Sequence, residues 1–107
     1  MNLEDFGLSV EVEIISPEQA QAYLTNNAKH RKVKQKKVDE YMKEMRDGKW
    51  RLNGKVLIFD RNGRLLNGQH RLHAVVQSGV SLTTLVVRGV DPSVLETKEE
   101  NNVIIHE

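Results

Sequence analysis

Five consecutive residues of this chain, Asn67 to Arg71, combine a glycine with side chains that can bind an anion. They read Asn-Gly-Gln-His-Arg, and the residues after them repeat apolar side chains at the spacing of one helical face. The pattern predicts a helix with Gly68, Gln69, His70 and Arg71 in its first turn and Asn67 as its N-cap. A glycine after the last apolar residue marks the predicted end of this helix.

The first turn of such a helix favours anions, because its backbone N–H groups lack intrahelical acceptors and the helix dipole leaves partial positive charge there. Gly68 would let a phosphate approach the backbone closely, and Gln69 adds a neutral polar group. His70 and Arg71 add donors, and an arginine can direct two of them at one phosphate. Two interpretations stay open at this point: a phosphate site, or an ordinary polar start of a surface helix.

The box from Asn67 to Leu72 resembles the Asp-Gly-Gln-His-Arg box of ParB-like proteins. It is also similar to the Gly-x-Arg-Arg box of ParB and to the Gly-Cys-His-Arg box of sulfiredoxin, which belong to the same superfamily. The similarity continues upstream through Met45 to Trp50 and Ile58 to Gly63, as in small ParB-like proteins of phages and mobile elements, and covers roughly Ile14 to Pro92. It implies the ParB/sulfiredoxin-like fold, an α/β domain with a small mixed sheet and helices packed on it.

A basic run from Lys29 to Lys37 holds six Lys or Arg in nine residues. By itself it is either a solvated loop or a phosphate-contacting loop opposite the Gly68 turn. The resemblance sharpens the second interpretation, because the superfamily has an arginine near its phosphate pocket in the loop before the next helix. Arg31 best matches that position, and Lys29 and Lys34 are secondary candidates.

The formal net charge of +1 hides an uneven distribution along the chain. Residues 1–28 carry five acidic residues and no Lys or Arg, whereas residues 29–88 carry fifteen Lys or Arg and five acidic residues. Residues 89–107 carry one Lys and five acidic residues. A middle this basic attracts phosphates, whether in a nucleotide or a nucleic acid, unless the acidic ends fold back and neutralise it.

Several classes of function are excluded by composition. The 107 residues predict one domain with one modest core. The chain has no cysteine, and Gln69 stands where sulfiredoxin has its nucleophilic cysteine, so sulfiredoxin-type reduction is excluded. We find no apolar run long enough to cross a membrane and no signal-peptide pattern, so we expect a protein of the bacterial or phage-infected cytoplasm.

The chain divides into three predicted parts: a loose N-terminal arm over residues 1–9, the ParB/sulfiredoxin-like domain over 10–95, and an acidic tail or last strand over 96–107. Within the domain, alternation from Val10 to Ile15 predicts a strand with one apolar face, and Ser16 with Pro17 predicts a helix start. This first helix is expected to end near residues 26–27. Further elements are predicted as strands over 55–59 and 81–88, a turn over 60–63, an extended piece over 64–66, and a helix over 35–47. The apolar stripe of that helix is formed by Val38, Tyr41, Met42 and Met45.

No protein-bound metal site is predicted. His70 and His73 lie three residues apart, but no further His or Cys completes a cluster beside them. Asp60 ends a predicted strand, where it could hold Mg²⁺ with a nucleotide or bond the backbone of a turn, and turn chemistry is the commoner role. Magnesium is therefore expected only together with a bound nucleotide.

The resemblance implies a phosphate-binding module that binds a nucleotide (CTP or ATP), a DNA backbone, or both, through the Gly68 helix start and the basic loop. One alternative is a Mg²⁺-dependent nucleotide hydrolase or nuclease on the same site. Another is a phage inhibitor that binds a protein and has lost the ligand. A protein partner and a homodimer both stay open, and any DNA binding is expected to be electrostatic and sensitive to salt.

Overall fold

The computed structural model describes residues 2–27, 32–48 and 55–93. Over these ranges the chain forms a four-stranded sheet and three α-helices, which confirms the predicted α/β class with a small mixed sheet. The elements are β1 (Ser9–Ile15), α1 (Pro17–Leu24), α2 (Gln35–Arg46), β2 (Val56–Asp60), β3 (Leu65–Asn67), α3 (Gln69–Ser78) and β4 (Leu82–Val90).

The strands lie in the order β1-β4-β2-β3. β4 pairs antiparallel with β1 and parallel with β2, and β2 pairs antiparallel with β3. Parallel neighbours need a crossover connection, and β3 together with α3 provides it between β2 and β4. Both α1 and α2 pack against α3, so the helix that carries the candidate site lies at the centre of the helical layer.

The hydrophobic core lies between one face of the sheet and the three helices. Val38, Tyr41 and Met45 of α2 are buried at helical spacing, as the apolar stripe of this helix predicted. The other core residues come from β1, α1, both central strands, β3 and α3: Ile15, Ala20, Leu57, Phe59, Leu65, Leu72, Ala74, Val75, Leu82 and Val86. This arrangement leaves α3 packed on both of its sides.

Local signals predicted the start of α1 and the end of α3 correctly. The Ser16 hydroxyl accepts a hydrogen bond from the Gln19 N–H at 3.1 Å, and Pro17 is the first residue of α1. Gly79 ends α3 in the left-handed conformation, with φ 73°. α1 itself ends at Leu24, a few residues before the predicted end.

Asn67 does not cap α3, so this prediction is wrong. It is the last residue of β3, and Gly68 takes the N-cap position with φ 116° and ψ 10°. The chain turns from strand to helix within this one residue, which requires a left-handed conformation that glycine adopts readily. The side chain of Asn67 is buried, and its Nδ2 lies 3.5 Å from the Val56 carbonyl oxygen.

The N-terminal residues are more ordered than the loose arm that we predicted. Leu3–Phe6 form a 3-10 turn whose start is closed by Asn2 and Asp5 in a capping box. A Cβ added at Gly89 would lie 1.9 Å from the Gly7 carbonyl oxygen, so the N-terminal turn contacts the end of β4 directly.

The apolar face of β1 points away from the helices. Ile15 is buried in the core, whereas Val10, Val12 and Ile14 are exposed. Strand alternation was therefore predicted correctly, but the alternating aliphatic residues do not build the core.

Some predicted features lie outside the described residues. These are Lys29, Arg31, Trp50 and the tail over 96–107. Among the helices that the structure describes, none combines the length and apolar character needed to cross a membrane.

Candidate functional site

Gly68 is required by its conformation and by its packing. Its φ of 116° lies in the left-handed region, and a Cβ built there would lie 2.3 Å from Cδ2 of Leu57 in the neighbouring strand β2. No side chain fits that space without a shift of the core. The glycine thus fixes the start of α3 tightly against the sheet.

The Gln69 side chain joins the start of α3 to the residues that follow α1. It is 5% exposed, and its Oε1 accepts a hydrogen bond from Asn27 Nδ2 at 3.0 Å. Asn27 also forms a parallel bridge with Leu65 of β3. These contacts hold the chain that leads into the basic run beside the first turn of α3.

The His70 ring joins the start of α3 to the start of α2. It is 4% exposed, and its Nε2 accepts a hydrogen bond from the Lys34 backbone N–H at 3.1 Å. Only an unprotonated ring nitrogen can accept, so this geometry assigns the ring proton to Nδ1. The neutral histidine therefore positions the N-terminus of α2 against the first turn of α3.

Arg71 is directed into the protein. It is 2% exposed, and its Nη2 donates to the Val56 carbonyl oxygen at 2.9 Å. The Oδ1 atom of the neighbouring Asn67 is buried and has no hydrogen-bond partner among the described residues. The guanidinium group, which we expected to fork onto a phosphate, bonds the first residue of β2 through Nη2.

The structure brings together five of the seven residues predicted for the site. Gly68, Gln69, His70 and Arg71 form the start of α3, and Lys34 contacts it through its backbone. Lys29 and Arg31 fall outside the described residues. The buried side chains of Gln69, His70 and Arg71 contact protein groups, so their contact with a phosphate stays a prediction.

Exposed lysines lie beside the junction where α2 and α3 begin. Lys32, Lys34 and Lys36 are exposed at and just before the start of α2, and neither α2 nor α3 has an acidic residue in its first turn. Basic residues and two helix starts therefore lie close together, whereas acidic side chains normally stabilise such positions. An anion would find favourable electrostatics here.

Asp60 has the turn role that the sequence favoured. Its buried carboxylate accepts the backbone N–H groups of Asn62 at 2.8 Å and of Arg64 at 2.9 Å, and Arg64 Nε at 2.8 Å. Burial alone would raise the pKa of Asp60, but these hydrogen bonds and the nearby guanidinium hold it below the ordinary value.

The His73 side chain is partly buried, and this burial lowers its pKa. Among residues 2–27, 32–48 and 55–93, no three His, Asp or Glu side chains come close enough together to hold a metal ion.

A polar cluster of Glu13, Tyr23 and Arg88 escaped the sequence analysis. Arg88 Nη1 pairs with Glu13 Oε2, the Tyr23 hydroxyl donates to Glu13 Oε1 at 2.9 Å, and Arg88 Nη2 donates to the Tyr23 hydroxyl at 2.9 Å. The Arg88 guanidinium also lies 5.2 Å from the centroid of the Phe59 ring. The pairing of β1 with β4 and the position of α1 beside the sheet bring these residues together, and no local motif signals the cluster.

This cluster shifts the pKa values of its members. The hydrogen bond from Arg88 lowers the pKa of Glu13 in spite of partial burial, and burial together with Glu13 raises the pKa of Tyr23. Each polar group has a partner, so the cluster links α1 to the sheet.

Among solved structures, the chain is similar to the C2221 form of a Pnob8-like ParB-N domain, with 21% sequence identity and a TM-score of 0.45. The similarity covers 91% of this chain and 36% of that chain, so this chain spans about a third of the length of the protein that it matches. No protein-family model and no curated protein matches the sequence.

Proposed function

We propose that this chain is a phosphate-binding module, which binds a nucleotide such as CTP or ATP, or a DNA backbone, where α2 and α3 begin. Backbone N–H groups at the start of a helix and nearby lysines are common partners for a phosphate. The ligand would lie beside Gly68, with the ammonium group of Lys34 at its edge.

One observation carries the proposal: the hydrogen bond from the Lys34 backbone N–H to His70 Nε2, at 3.1 Å. It joins the basic run to the Gly68 turn, the two parts that the sequence predicted for one site.

The buried side chains have positioning roles in this proposal. Gln69 and His70 hold the flanking segments through Asn27 and Lys34, and Arg71 holds α3 against β2 through the Val56 carbonyl. The backbone and the exposed lysines then contact the ligand. Lys29 and Arg31 belong to the same proposal because of their positions in the basic run.

The first experiment is a thermal-shift titration of the 107-residue protein with CTP, ATP, GTP and a short DNA duplex. A ligand at a hundred times its dissociation constant stabilises the folded state by about 2.7 kcal/mol. For a domain of this size, that raises the melting temperature by about 10 °C. We expect the rise with at least one of these ligands.

Lys34→Glu tests the location of the site, and Lys43→Glu is its matched control. Both lysines are exposed on or beside α2, and Lys43 lies near the opposite end of the helix, where it pairs with Asp47. Lys34→Glu keeps the backbone hydrogen bond to His70 but reverses the charge at the junction. The proposal expects the shift to vanish in Lys34→Glu and to persist in Lys43→Glu, and equal behaviour of the two variants would contradict it.

Arg71→Ala is a poor probe of the same question. It leaves a buried cavity and removes a donor from the Val56 carbonyl, so it would destabilise the fold whether or not a ligand binds.

The salt dependence separates a nucleotide from a DNA backbone as the ligand. DNA binding through several phosphate contacts weakens steeply between 50 and 200 mM salt, by roughly a thousandfold or more for six contacts. A single bound nucleotide would respond much less.

Phosphate release in the presence of Mg²⁺ would favour the hydrolase alternative, and cleavage of the duplex would favour the nuclease. A protein that responds to none of the ligands at low salt would favour the protein-binding inhibitor.

A further inference from the structure

The two edges of the described sheet differ in their protection. β3 is three residues long and all of them are buried. The Leu65 N–H also donates a hydrogen bond to the carbonyl of Asn26, just after α1, at 2.8 Å. β1, at the other edge, is seven residues long, and no described residue pairs with its outer side.

β1 carries Glu11 and Glu13 but has no lysine, no proline and no bulge to protect its edge. Proteins block such edges with lysines, prolines, bulges or very short strands. β1 reads Ser-Val-Glu-Val-Glu-Ile-Ile, and its register with β4 is unbroken from Ser9 to Ile15. A regular strand of this length presents a row of backbone donors and acceptors to a second strand.

One face of β1 belongs to a surface of exposed and partly buried aliphatic side chains. Val10, Val12 and Ile14 are 43%, 55% and 75% exposed. They stand opposite Val87, Leu85 and Thr83 of β4, and β4 continues this face to Val56 and Ile58 of β2, which are only partly buried.

The other face of β1 is acidic. Glu11 is exposed, and Glu13 pairs with Arg88. The groove at the start of the strand combines aliphatic and acidic lining residues, among them Leu3, Glu4 and Val10. The whole stretch over residues 1–28 contains no Lys or Arg. A strand placed beside β1 would therefore face aliphatic side chains on one side and carboxylates on the other.

We propose that the free edge of β1 binds an extended segment of a partner protein, in which aliphatic residues alternate with lysine or arginine. The segment adds a fifth strand to the sheet by backbone hydrogen bonds. Its aliphatic residues extend the row of Val10, Val12 and Ile14, and its basic residues face Glu11. Cross-strand pairs of opposite charge stabilise such an arrangement.

A second copy of this chain fits the same edge poorly. If two β1 strands pair antiparallel with Val12 opposite its own copy, Glu11 of each strand lies opposite Glu13 of the other. Moving the register by two residues, so that the aliphatic faces still match, places Glu11 opposite Glu11 or Glu13 opposite Glu13. Like charges directly opposite each other are destabilising, so the edge favours a basic partner over its own copy.

The test uses the ¹⁵N-labelled 107-residue chain and a blocked synthetic peptide of about eight residues, long enough for a typical strand, that alternates valine and lysine. A peptide of equal length that alternates valine and glutamate is the control ligand. Titration by NMR is expected to shift the backbone amides from Ser9 to Ile15, and hydrogen exchange of the outer amides of β1 is expected to slow. The glutamate peptide is expected to produce neither effect.

Three variants sharpen the assignment. Ile14→Lys places a charge in the aliphatic row and is expected to weaken binding about tenfold or more, since a buried aliphatic side chain is lost from the contact. Gln21→Lys makes the same charge change at an exposed position of α1 and is expected to leave the affinity within about twofold. Glu11→Lys is expected to weaken the lysine peptide several-fold and to allow the glutamate peptide to bind.

Four results would overturn the proposal. The first is a titration without shifts in β1, and the second is unchanged affinity in Ile14→Lys. The third is slow exchange of the outer β1 amides in the free protein at every concentration, which would mean that another part of this chain covers the edge. The fourth is protection that grows with protein concentration, which would identify a second copy as the occupant.

Discussion

The start of α3 and the strand β1 contradict simple expectation in opposite directions. At the start of α3, Gln69, His70 and Arg71 are polar or charged, yet the protein buries them almost completely. In β1, Val10 and Ile14 are aliphatic, yet they are exposed. Residue type therefore indicates which chemistry a position can perform, and the neighbouring elements decide whether that position faces solvent.

The difference follows from the positions of the two elements in the fold. α3 crosses the sheet at the centre of the helical layer, with α1 and α2 packed against it. Gln69, His70 and Arg71 in its polar first turn each form a hydrogen bond with a protein group, which offsets part of the cost of burying them. β1 lies at the edge of the sheet, and the helices cover only one of its faces.

The largest expected effect tests the two faces of β1. Ile15 is fully buried and its neighbour Ile14 is exposed. We expect Ile15→Ala to lower the free energy of unfolding by about 3–4 kcal/mol, because it removes buried methyl groups and leaves a cavity. The same substitution at Ile14 is expected to cost less than about 1 kcal/mol. Urea unfolding of both variants measures the difference. Similar losses would mean that the face of β1 that carries Ile14 is covered.

The next prediction tests the packing at the start of α3. Gly68→Ala is expected to cost about 3 kcal/mol, because a left-handed alanine is strained and its Cβ overlaps Leu57. Gly79 at the other end of α3 is the matched control, since its φ is also positive but a Cβ there meets nothing within 4 Å. Gly79→Ala should cost only about 1 kcal/mol. Equal costs in urea unfolding would show that the close contact with Leu57 does not exist.

The smallest of these effects depends on pH. Asp60→Asn keeps an acceptor oxygen but removes the charge that holds Arg64, so we expect a loss of about 1–2 kcal/mol at pH 7. The pKa of Asp60 lies below its ordinary value of 3.8 in the folded protein. Its contribution is therefore complete above that value and is lost as the pH falls through the lowered pKa.

Urea unfolding of the wild type and of Asp60→Asn should therefore differ at pH 7 and converge as the pH falls through the lowered pKa of Asp60. A difference that persists in acid would assign the loss to the shape of the amide rather than to the charge.

The local structure of this chain could be predicted because short-range signals carry it. Ser16 and Pro17 specify a helix start by bonds within one turn, and Gly79 ends α3 by its left-handed backbone. The stripe of Val38, Tyr41 and Met45 gave the buried face of α2. The cap at Asn67 was misassigned because an Asn-Gly pair fits either an N-cap or the end of a strand followed by a left-handed residue. The pairing of Asn67 with Ile58 of β2 selects the second.

By itself, the sequence determined the α/β class, most element positions, the glycine at the start of α3, and the basic run that precedes α2. Only the tertiary structure decided that Arg71 bonds Val56, that Lys34 bonds His70, and that the aliphatic side chains on one face of β1 are exposed. The physical reason is the range of the interactions. Caps and turns are completed within a few residues, whereas burial and side-chain partners depend on elements that lie tens of residues apart along the chain.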